Sequence, residues 1–99
     1  MQGDETLVME IAEVHQITGV GTVVIGEVAC DEIDHKDEVR IIGESFAQGA
    51  IVGGVERHGK SGPAKRGEQV GMLLVGRHLR EQLPVVAGMK VYLAARNGP

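Results

Sequence analysis

Eight residues in the middle of the chain, Gly54-Val55-Glu56-Arg57-His58-Gly59-Lys60-Ser61, fit the pattern G-x-x-x-x-G-K-[ST] letter for letter. In a phosphate-binding loop that pattern follows a strand and runs directly into a helix. Loop amides, the helix N-terminus and the lysine then converge on phosphates. The flanks here are wrong for it. Ser61 is followed by Gly62-Pro63-Ala64-Lys65-Arg66-Gly67, where proline and glycine disfavour a helix. Val55 and Glu56 have strand character, and no βαβ pattern or later Asp-bearing strand supplies the rest of a nucleotide site. The same stretch supports a second chemistry. Arg57, His58, Lys60, Lys65 and Arg66 gather five potential cations on one loop, suited either to phosphates of RNA or simply to balancing acids elsewhere in the chain.

Other reactive side chains are dispersed. His15, His35, His58 and His78 do not share a ligand spacing, and Cys30 with His35 lacks a paired metal motif. Ser45 and Ser61 have no base and orienting partner nearby in sequence. Asp34, Asp37 and Glu38 sit in a turn, where acids normally face water. No catalysis, metal or cofactor is expected. The single cysteine, Cys30, cannot form an internal disulfide, which fits a reducing, cytoplasmic location. No apolar run approaches the ~20 residues of a membrane span, and the polar start, Met1 to Thr6, is unlike a signal peptide.

The elements that must position these residues are strands. Ninety-nine residues make one domain, here 1–99, and glycine is abundant (15) while Phe46 and Tyr92 are the only aromatics. Apolar content comes from Val, Ile, Leu, Ala and Met, a β-branched composition that favours sheet. Leu7 to Gln16 and Thr22 to Cys30 flank Thr18-Gly19-Val20-Gly21 and read as a hairpin, with Gly26 marking a bend or bulge. Further strands are expected at Glu38–Ile42, Ala50–Arg57 (kinked at Gly53 and Gly54), Gln69–Val75 and Met89–Ala95. His58 to Glu68 reads as a long exposed hairpin loop, Arg77 to Leu83 as one helical turn, and Arg96 to Pro99 as a frayed end. Six short strands with glycine kinks point to an all-β fold, and closure into a barrel would remove its exposed edges.

Charge is uneven. The chain carries −4 overall, but −9 up to Phe46 and +5 from Ala47 onward. That asymmetry fits a basic face for nucleic acid, or complementarity between neighbouring strands; the overall acidity favours the second.

Val14-His15-Gln16-Ile17-Thr18-Gly19-Val20-Gly21-Thr22-Val23-Val24-Ile25-Gly26-Glu27-Val28 resembles the opening hairpin of domain 2 in elongation factor Tu and other translational GTPases, V-x-x-I-x-G-x-G-T-V-V-x-G-x-V. The similarity continues through Ile33 and Asp37-Glu38-Val39-Arg40-Ile41, Val52 to Glu56, Arg66 to Leu74 and Gly88-Met89-Lys90-Val91, covering about residues 7–95 in order. The resemblance implies a closed, six-stranded Greek-key-type β-barrel without the GTPase domain. In elongation factor Tu this barrel helps hold the aminoacyl end of tRNA. At the corresponding positions this chain has Ala12 for the acid (Glu13 beside it), His15 for the aromatic, Val20 and Val75 for arginines, and Lys36 for a turn glycine, while Ile17 is kept.

The expected function is a noncatalytic binding module for a protein partner, or for tRNA or ribosomal RNA, with no membrane, DNA or GTP. Its expected contacts are His15, Ile17 and Val20 on the first hairpin and Arg57, His58, Lys60, Lys65 and Arg66 on the basic loop. The alternatives are a nucleotide-binding protein using Gly54–Ser61, or a purely structural subunit of a larger assembly.

Overall fold

The computed structural model describes residues 6–76 and 82–94. These form an all-β, antiparallel protein, with no helix among the described residues. Ten strand segments follow the chain: Thr6–Glu10 (β1), Glu13–Ile17 (β2), Gly21–Glu27 (β3), Glu32–Ile33 (β4), Glu38–Gly43 (β5), Phe46–Arg57 (β6), Lys60–Ser61 (β7), Ala64–Lys65 (β8), Gln69–Val75 (β9) and Lys90–Leu93 (β10). The main ladder runs β1-β10-β5-β6-β9-β3-β2, with β7 on β6, and β4 pairs separately with β8. The ladder path ends at β1 and β2 and does not close on itself.

Alternation places one side of each strand in the core. Thr22 and Val24 of β3, Val39 and Ile41 of β5, Ala50 and Val52 of β6, and Val70, Met72 and Leu74 of β9 are all buried. Leu83 and Val85, on the irregular stretch before β10, join the same cluster as Val8, Met9 and Ile11. Side chains of this kind contribute about 1.5–3 kcal/mol each when fully buried.

Several expectations are corrected in detail. Leu7 to Gln16 is not one strand: it breaks at Ile11-Ala12, and its halves pair with different partners, β10 and β3. At the break Ile11 holds the other edge by exchanging bonds with Gly88 and Met89, while the Ala12 amide donates to Ile25 O. Of the bend or bulge expected at Gly26, the bulge is absent, since the β3–β9 ladder passes through it and the β2–β3 ladder ends beside it without a register shift. A Cβ there would stand 2.8 Å from Glu10 O and 2.9 Å from Met9 Sδ, so glycine is needed where the first strand crosses over. The ladder shifts register instead in β6 between Val52 and Gly54, as its two glycines foreshadow, and in β1 between Leu7 and Met9.

His58 to Glu68 is mostly exposed and begins as the second arm of a hairpin, with Ala64 as its buried point. It contains β7 and β8, folded back on β6 and β4. The expected helical turn at Arg77 to Leu83 lies mostly outside the described residues, as do His78 and the expected frayed tail.

Candidate binding surfaces

The β2–β3 hairpin pairs Ile17 with Gly21 across a three-residue tip, Thr18-Gly19-Val20. Gly19 at φ 79° and Gly21 at φ 129° take backbone conformations that side chains disfavour. The tip is apolar and open: Ile17 is 41% exposed and Val20 47%. His15 lies two residues back on β2, opposite Val23, and its Nε2 pairs with Glu13 Oε1 at 3.1 Å in an exposed position.

Beneath this arm, exposed Gln16 and buried Thr22, paired across the hairpin, clamp the chain before β10. Thr22 Oγ1 donates to Gln16 Oε1 (2.6 Å), Gln16 Nε2 donates to Leu83 O (2.7 Å), and the Leu83 amide donates to Thr22 Oγ1 (2.8 Å). The hairpin therefore projects from a fixed base.

The G-x-x-x-x-G-K-S segment is a β-hairpin. Gly54 to Arg57 belong to β6, Lys60 and Ser61 to β7, and His58-Gly59 form the turn. Positive φ at both turn residues (51° and 77°) is the type I′ geometry that matches strand twist. Arg57 and Lys60 are directly opposed across the pair. Ser61 and His35 line one cleft of about 380 Å³, but no hydrogen bond joins them.

Of the five candidate cations, two are already engaged within the chain. Arg66 donates to Ala29 O and pairs with Asp31 Oδ1 at 2.8 Å, joining the acidic and basic halves. Arg57 donates to Pro63 O and stands 3.6 Å from Glu68 Oε2. The Lys60 and Lys65 ammonium groups have no ion-pair partner among the described residues, and Lys65 lies across from Glu32.

The two candidate sets do not meet. The β2–β3 tip lies at the Ile51/Val75 end of the central strands, and the β6–β7 tip at the Glu56/Gly71 end. At ~3.3 Å per residue, the run from Ile51 to His58 separates them by about 20 Å.

The 34–37 turn, between β4 and β5, carries the clearest electrostatic bias. Asp34 Oδ1 accepts from the His35 ring (3.2 Å) and the His35 amide (2.7 Å), which holds its carboxyl below the usual range. Lys36, where the resembled family has glycine, sits at φ 78°. Burial pushes the Cys30 thiol up. Among the described residues no group of three or more His, Cys, Asp or Glu could hold a metal ion, and no helix is long and apolar enough to cross a membrane. No known protein-family model matches the chain.

Sequence reasoning missed the outer face of the sheet. Val23, Ile25, Leu73 and Val75 are half-buried and alternate with the core positions, so they line the side away from it. The signal was present: V-V-I in β3 and L-L-V in β9 are apolar on both parities, as in strands covered on both faces.

Proposed function

We propose that the chain is a noncatalytic binding module built like domain 2 of the translational GTPases, and that its partner is a protein engaged through the β2–β3 arm. The carrying observation is the apolar tip of Ile17 and Val20, raised on an anchored hairpin. Support for the relationship comes from the interrupted first strand. Because β1 and β2 are nearly contiguous in sequence yet stand at opposite ends of the ladder path, the sheet curls round one core. Its strands then occupy six positions, as in a six-stranded barrel.

A second reading, contact with RNA phosphates, is favoured by Lys60 and Lys65, exposed ammonium groups with no ion-pair partner among the described residues.

The experiment is an amide-resolved NMR titration with bulk tRNA at low and physiological salt. Shifts at His15–Val20 and His58–Arg66 that persist at physiological salt would replace the protein reading with RNA binding. Their absence, or their loss with modest salt, fits a protein partner. Millimolar nucleotide binding abolished by Lys60→Ala would overturn both.

A further inference from the structure

The outer face of β2, β3, β9 and β6 is ordered in rows by the ladder. One row runs His15–Val23–Leu73, and the next Glu13–Ile25–Gly71–Glu56. A further outward pair, Glu27–Gln69, closes that side. On the opposite margin Ile51, 45% exposed, lies against Val75. The glycines deepen the surface. A Cβ on Gly53 would fall 2.7 Å from Val75 Cγ2, so Val75 leans over bare backbone there. Val23 and Ile25 lean over Gly71 in the same way, at 3.5 and 4.0 Å from where its Cβ would be.

This face therefore has an apolar centre and one charged margin. Its outward positions carry three carboxylates, Glu13, Glu27 and Glu56, and neither lysine nor arginine. We infer that the face is a docking surface for a polypeptide segment that is apolar along its middle and carries lysine or arginine along one edge. Charge selects that occupant. A second copy of the same face would bring carboxylates and no lysine or arginine to meet them, with His15 already paired to Glu13, and a nucleic acid would meet the three carboxylates with its phosphates. The apolar stripe supplies contact area, and the acidic margin sets which way round the segment lies. The inference rests on the binding-module reading, gives that module's partner a chemistry, and extends its contact from the arm along the outward side of β2 onto the sheet face.

The test uses two synthetic amphipathic peptides of equal length, one of leucine and lysine, the other of leucine and glutamate. Each is titrated into the labelled protein and read by amide NMR. The leucine–lysine peptide is expected to shift Val23, Ile25, Gly71 and Leu73, and to bind about tenfold tighter than its counterpart. In the variant E13K/E27K/E56K, the preference should reverse while the spectrum stays folded. Equal binding of both peptides, or an unreversed preference, would overturn the inference. Shifts confined to Ile17–Val20 or His58–Arg66 would also overturn it, leaving the binding-module reading intact. Concentration-dependent line broadening of the same face without peptide would overturn it in favour of a second copy.

Discussion

Thr22 and Leu83, 61 residues apart in sequence, are joined by a bond from the Leu83 amide to the Thr22 hydroxyl at 2.8 Å, and both residues are fully buried. That hydroxyl also donates to Gln16, so one side chain serves as acceptor and donor between the hairpin and the stretch leading to β10. Thr22→Val keeps the shape and removes both roles, leaving a buried amide without its acceptor. The expected loss is about 1–3 kcal/mol by urea denaturation, whereas Thr22→Ser, which keeps the hydroxyl, should retain most of the stability. A neutral Thr22→Val would mean that the clamp contributes no net stability.

Gly26 and Gly71 are both strand glycines in the resembled pattern, but only one is sterically required. Gly26→Ala drives a methyl into Glu10 O and Met9 Sδ and is expected to cost about 1–3 kcal/mol. Gly71→Ala meets nothing nearer than 3.5 Å and is expected to be close to neutral. Equal melting temperatures for the two variants would contradict this distinction.

Lys36 occupies a left-handed backbone conformation in the turn before β5. Lys36→Gly is expected to stabilise the protein by about 0.5–1 kcal/mol, the relief of a side chain at positive φ less the added freedom of the unfolded chain. A fall in denaturation midpoint would show that the lysine side chain holds the turn in some other way.

The lowered Asp34 carboxyl gives a sign for acid behaviour. Its folded value lies below its unfolded one, so its stabilisation is present above the unfolded value, near 3.8, and is lost as pH falls through the folded value. Asp34→Asn and His35→Ala should each flatten the decline of melting temperature below about pH 4. Unchanged curves would remove this turn from the acid response.

Cys30 is 1% exposed and its thiol is raised by burial. It is expected to react with a thiol reagent only as fast as the protein opens, and at full rate in denaturant. Its share of stability is full below the unfolded thiol value and is lost as pH rises towards the folded one. Prompt labelling of the native protein would place the thiol at the surface.

Much of the strand plan is legible in sequence because alternation and glycine punctuation are local signals. Gln69–Val75 and the paired run around Gly19-Gly21 match the ladder closely. The break at Ile11-Ala12 is not legible, since Met9, Ile11 and Val14 keep the segment apolar through the point where it changes partner. β4, β7 and β8 are two residues long, too short for any period to register. The hairpin itself is legible, but its tip, polar in the sequence pattern, presents the exposed apolar side chains of Ile17 and Val20. Their separation from the basic set depends on the β6–β9 register, which no local pattern carries. The fate of Arg57 and Arg66 depends on Glu68 and Asp31 arriving from other segments, again a property of the fold.

The pairing of β1 with β10 sets Thr6 directly across from Leu93. Cross-strand neighbours in an antiparallel ladder stand only about 5 Å apart. The chain thus enters and leaves this unit through one doorway. A module of that kind can be spliced into a surface loop of a host without prying the loop apart. It can equally be circularly permuted, by bridging 6 to 93 and reopening the chain at the His58-Gly59 turn.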